Sequence, residues 1–183
     1  MKSTILGFLE DHHLSWAAFQ PSDLVFRDVF LQDCAANHCG KYGKTWTCPP
    51  GIGDVNVHRS LLSAFPEAIL FLQVFPLEDP YDVDGMDVGR KTIMNHAYTL
   101  SDRLRKEPGE AMFLAAGSCE LCHPCSYPEK PCRFPEKAMI SMEALGVDVY
   151  DIAKKTGLKY YHGPNTVTYF VMVFFREGSP CRR

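Results

Sequence analysis

The spacing of seven cysteines constrains this chain more than any other feature. Cys119, Cys122, Cys125 and Cys132 follow the pattern C-x2-C-x2-C-x6-C, with Arg133-Phe134-Pro135 directly after the last. Three thiolates at such intervals wrap the chain around a cubane, one per iron corner, and a more distant fourth closes it. Bacterial ferredoxins use a comparable run ending in Cys-Pro. Zinc sites instead build a tetrahedron from two separate knuckles or from Cys/His pairs. The run therefore fits a [4Fe-4S] cluster better than a single ion, with zinc as the alternative. Four cysteines among prolines and charges do not read as core filler. In two-cluster ferredoxins the cysteine before proline ligates the other cluster, so Cys132 can serve either of two sites. His123 reads as an exposed loop residue rather than a ligand.

Cys34, Cys39 and Cys48 form a second set, C-x4-C-x8-C, closed by Pro49-Pro50-Gly51. Gly40 and Gly43 let the backbone approach a sulfide closely, and the two prolines fix the exit, since neither can continue a helix or a central strand. Taken alone this spacing names no metal; beside the other group it reads as a second cluster site. Three thiolates leave one corner of a four-iron cluster without a cysteine. An iron with an open position can bind substrate as a Lewis acid, by the logic that separates catalytic from structural zinc. Alternatively His38 or Cys181 supplies the eighth ligand. His38 is hampered by its neighbour Cys39, and Cys181 reads most simply as an exposed tail thiol.

Composition sets the surroundings. Eight cysteines in 183 residues fall short of the density of a small disulfide scaffold. A formal net charge of −3 and the lack of any basic run argue against nucleic acid or an anionic membrane as partner. No apolar run is long enough to span a bilayer. The apolar N-terminal stretch runs straight into Glu10-Asp11-His12-His13 with no small-residue cleavage site, a poor signal peptide. The expectation is a cytoplasmic protein whose thiols stay reduced and serve as ligands.

The length suits one domain over residues 1–183. Residues 1–21 read as a helical N-terminal segment closed by Pro21. Asp54 is placed to cap a helix running to about Phe65, with Val57, Leu61 and Leu62 on its apolar side. Branched and aromatic runs predict strands at 68–77, 111–116 and 166–176. A helix is expected from about Val88 to Lys106, and a helical turn followed by a helix over Ser141–Thr156, ending at Gly157. The fold class is α/β or α+β: a single small domain, a central sheet with flanking helices, and two cysteine-rich metal loops that can meet at one end of the sheet.

Other motifs weigh less. Residues 78–87 look like a calcium loop until Gly85 is set at position six, which puts Pro80 at position one and Lys91 at position twelve. The stretch is expected to be a solvated turn. Gly89-Arg90-Lys91-Thr92 lacks the upstream glycine of a phosphate loop. Arg27, Lys41, Lys44 and Arg133 lie beside the cysteine loops, where positive charge would raise a cluster's potential or hold an anionic substrate, if it is not ordinary surface charge. His96 reads as a proton donor toward the cluster or, more simply, a satisfied histidine. Trp46 and Tyr42 read as covers for the cluster.

Taken together, the segments Cys34/Cys39-Gly-Lys-Tyr42-Gly43 to Cys48-Pro49-Pro50, Gly117-Ser-Cys119 to Cys132-Arg133-Phe134-Pro135, and Ser141-Met142-Glu143-Ala144-Leu145-Gly146-Val147-Asp148-Val149 resemble an uncharacterised family of predicted metal-binding proteins, domain of unknown function 2284. Arg27 matches an arginine of that family, whereas Phe134 stands where a histidine is expected. The resemblance implies metal binding, with iron–sulfur as the usual inference, and no particular reaction. The reading is an iron–sulfur protein with one or two [4Fe-4S] clusters held by the seven cysteines. It acts in electron transfer or as a small redox subunit, with a redox partner protein or a small-molecule substrate. The alternatives are a zinc-stabilised binding domain, or an enzyme using the open iron of the three-cysteine site for a dehydration or sulfur removal.

Overall fold

The computed structural model describes residues 1–178, so Cys181 lies outside the described residues. The centre is a mixed five-stranded sheet in the order β1-β2-β5-β3-β4. Its strands are β1 (Ser15–Phe19), β2 (Glu67–Pro76), β3 (Gly109–Ala115), β4 (Ile140–Ser141) and β5 (Thr166–Glu177). The middle strand, β5, pairs antiparallel with β2 on one side and β3 on the other, and only the short edge strand β4 runs parallel to its neighbour. Both faces are covered, so these strands read as nearly continuous apolar runs rather than alternating ones.

Alternation along each strand sorts the core into two layers. Ile69, Phe71, Phe113, Val171, Val173 and Phe175 face α1 (Lys2–Asp11) and α4 (Val83–Leu104). From α1 come Ile5, Phe8 and Leu9; from α4 come Ile93, Ala97, Leu100 and Leu104 at helical spacing. Leu70, Leu72, Leu114, Met172 and Phe174 face the opposite layer, built on α3 (Val55–Ser63), α5 (Val149–Lys155) and the 3-10 turn Glu143–Leu145. The result is an α+β fold with one sheet between two layers. Among the described residues no helix is long and apolar enough to cross a membrane.

Several expectations need correction. The segment 1–21 is not helical throughout: α1 ends at Asp11, His13 turns the chain with a positive φ of 53°, and 15–19 is an edge strand against β2. Helix α4 begins five residues early, because the Asp82 carboxylate accepts the Gly85 N–H and nucleates a first turn that apolar periodicity does not mark. Asp54 does cap α3, accepting the Asn56 N–H, but Leu62 is that helix's buried residue while Val57 and Leu61 stay half exposed. Of the first cysteine group, Cys34 stands on a helix and not in a loop: it lies on α2 (Asp28–Ala36), which ends at Asn37 in the left-handed region.

The start of α2 is docked on the turn that follows β4. The Arg27 N–H donates to Gly146 O at 2.7 Å, the Asp148 N–H donates to Val25 O at 2.8 Å, and Arg27 pairs with the Asp148 carboxylate. Burial works to raise the Asp148 pKa, but the guanidinium and the backbone N–H groups of Asp151 and Tyr150 overcome it and hold the carboxyl below its usual range. A carboxyl depressed on folding stabilises the fold above its unfolded pKa and loses that contribution as pH falls through the folded value. Asp148→Asn should therefore lower stability at neutral pH by about 1 kcal/mol, since Arg27 is half exposed and screened. In denaturant titrations that deficit should shrink as pH drops below the carboxylate range. A deficit independent of pH would show that the pairing contributes nothing.

Candidate metal centres

Both cysteine groups sit where β3 and β4 end. Strand β3 delivers the chain through buried Ala115 and Ala116 into Gly117, whose φ of +80° turns it out of the sheet toward Cys119. From there residues 117–139 hold neither helix nor strand. The first group is carried differently: Cys34 on α2, Cys39 just beyond its end, and Cys48 at the close of a loop tied by the Gly43 N–H to Pro49 O at 2.9 Å. Gly51 is required there because a Cβ would lie 2.3 Å from the Thr45 carbonyl oxygen.

The structure separates the seven thiols into three and four. Cys34, Cys39 and Cys48 line one cavity of about 440 Å3. Cys119, Cys122, Cys125 and Cys132 all line another, of about 10 Å3, room for roughly one water. Cys132 thus stands with its own sequence group. Among the described residues all seven cysteines are free of disulfides, and no three His, Cys, Asp or Glu side chains form a group that could hold a metal ion. The thiols surround voids instead of converging on one point. The first cavity has room for a polynuclear centre. The fit of the second rests on its donor set, four thiols around one void in a segment free of regular structure.

The two groups touch. Thr47, buried, accepts the Cys119 N–H on Oγ1 at 3.1 Å, and its hydroxyl and that of Thr45 both hydrogen-bond the Cys48 thiol. Trp46 crosses over: its Nε1 donates to Lys130 O at 3.1 Å, its ring meets Tyr127 edge-on, and it lines the four-thiol cavity, as does Phe134. Tyr42 lines the three-thiol cavity. On the far side of Cys119, the Tyr98 hydroxyl hydrogen-bonds the thiol.

Burial is the leading influence on the thiols. It pushes Cys34 up to about 11, helped by the charges of Glu143, Cys48 and Cys39. Burial likewise raises Cys48 against the two threonine hydrogen bonds, and Cys119 against the Leu121 N–H and Tyr98. Thiols held this way ionise only when a cation arrives, since a coordinated thiol is deprotonated outright.

The charges near the loops are mostly spoken for. Arg27 pairs with Asp148 instead of facing the thiols, and Arg133 donates to Pro124 O at 3.1 Å. Lys41 lies 3.7 Å from Glu120, and Arg90 bonds Asp87 and Glu120, each at 2.6 Å. His96 packs against His12 and Phe8 in the helical layer of α1 and α4 and lines neither thiol cavity. Sequence reading missed Thr47, Tyr98 and Glu143. Glu143 belongs to a noted motif, but nothing in its spacing connects it to Cys34.

The partition into two sites makes a prediction. Cys48→Ser should remove about one centre's worth of metal and leave the other, and Cys122→Ser should do the reverse. Loss of all metal from either variant would mean a single shared centre.

A family model described as a predicted metal-binding protein, DUF2284, matches residues 17–175. No curated protein and no solved structure matches the chain.

Proposed function

The chain belongs to the DUF2284 family of predicted metal-binding proteins, and from that premise we propose that it is a cytoplasmic iron–sulfur protein holding two [4Fe-4S] clusters and working in electron transfer with a redox partner. The observation that carries this reading is the sorting of seven free thiols into a group of four around one void and a group of three on a wider cavity. The wider cavity has the room a cubane needs, while at the four-thiol void, which holds about one water, the support comes from the C-x2-C-x2-C donor spacing. A single zinc ion needs its donors about 2.3 Å from one point. Thr47, bonded to residues of both groups, gives the two centres a common wall, which suits the passage of electrons between them.

The three-thiol site favours a second reading beside this one. Its cavity of about 440 Å3 adjoins another of about 270 Å3, lined in part by Tyr160, Tyr169 and Phe170, with Arg90, Gly117 and Glu143 common to both walls. Such a space admits a small molecule next to a cluster, as chemistry at an exchangeable iron requires.

Iron and acid-labile sulfide analysis of anaerobically purified protein tests the proposal. About eight of each per chain, with a brown colour bleached by reduction, is the expected result. Zinc without sulfide in a colourless protein would overturn it and leave a metal-stabilised binding domain.

A further inference from the structure

The three-thiol cavity carries an anionic side chain with no counter-charge. Glu143 lies on its wall and forms no ion pair among the described residues, while both cations of that wall, Lys41 and Arg90, are committed to Glu120 and Asp87. Water reaches the carboxylate through the cavity, yet the surrounding protein desolvates it, against the Ser141 hydroxyl that holds it. Cys34, Cys39 and Cys48 line the same wall. Once the three thiols ionise around a metal, their charges and the Glu143 carboxylate face one void together and are balanced only by that metal.

The fold brings this about through register. Ala115 of β3 pairs with Ser141 of β4 in parallel, so two residues further on Gly117 and Glu143 leave the sheet at the same level. The turn bearing Glu143 is the one on which α2 docks through Arg27 and Gly146, which sets Cys34 across the cavity from it. The other oxygen and nitrogen donors of the wall are worse placed. Asp33 and His38 each adjoin a cysteine, with Asp33 turned about 100° from Cys34 around α2, and Glu120 is held by Arg90 and Lys41.

We infer that Glu143 is the fourth protein donor of the three-thiol site, completing a Cys3Glu set with Cys34, Cys39 and Cys48. The inference rests on the metal-binding reading above and sharpens it. A hard carboxylate oxygen on a thiolate-bound iron exchanges more readily than a fourth thiolate, so this corner is closed at rest and open to an incoming oxygen ligand. No cysteine need be recruited from elsewhere in the chain.

The test compares full-length wild type, Glu143→Gln and Glu143→Cys, each loaded anaerobically with iron and sulfide. Iron release to a chelator should be at least about tenfold faster from Glu143→Gln, because removing even an outer partner of a ligand costs that much in affinity. Mild oxidation should give Glu143→Gln a strong three-iron EPR signal that wild type lacks, and Glu143→Cys should restore retention with a spectrum of four-thiolate type. Release and spectra unchanged in Glu143→Gln would overturn the inference, as would loss of the centre from both variants, since a thiolate can replace a carboxylate as donor. Acid-labile sulfide in the wild type reads the cluster assignment separately. Were it absent, the cluster would fall, and zinc release from Glu143→Gln relative to wild type would still decide Glu143 in the same two directions.

Discussion

Everything at the cysteine-bearing end depends on the double pairing of β5. Antiparallel to β2 and to β3 at once, it fixes the height at which β3 leaves the sheet, and with it the position of Gly117 and Cys119. The parallel partner β4 then places Glu143 beside Gly117. Because Val171, Met172, Val173, Phe174 and Phe175 are all fully buried, alternating between the two layers, this strand cannot slip by one residue without exchanging both faces of the core. A rigid sheet thus holds one end of loops that have little regular structure of their own, the arrangement expected of a site carried on a stable scaffold.

The thiols of that end stay neutral until a cation is there to balance their charge. Burial raises the pKa of Cys34, Cys48 and Cys119, and neighbouring carboxylates and thiols add to it while Arg27, Lys41 and Arg90 are paired with Asp148, Glu120 and Asp87. A bound metal would reverse this balance, since coordinated thiols give up their protons and their charges are then drawn to a common centre. Under the proposed iron–sulfur reading, Thr47 and Tyr98 would keep a role in that state, since hydrogen bonds to a ligating sulfur tune a cluster's potential.

The sequence made the long elements and the grouping of thiols legible because those signals are local. The β5 run, the Asp54 cap and the C-x2-C-x2-C spacing each lie within one short window. What it left hidden was set by tertiary contact. Helix α2 has no buried residue of its own and no side-chain cap, so no periodicity announces it; it forms because Arg27 and Val25 dock on the turn at 146–148. Strands β1 and β4 are short and at the sheet's edges. Thr47 bonds Cys119 across 72 positions of chain, and Glu143 shares a cavity with Cys34 across 109, distances over which spacing carries no information. Phe134, by contrast, lines the four-thiol void, as a wall residue and not a donor.

The claim that the thiols hold polynuclear centres is tested most directly by X-ray absorption at the iron and zinc edges of anaerobically purified protein. The account predicts iron bound by sulfur with a clear iron–iron scattering shell, and a minor oxygen contribution that vanishes in Glu143→Cys. Zinc at about 2.3 Å from sulfur, with no metal–metal shell, would contradict it.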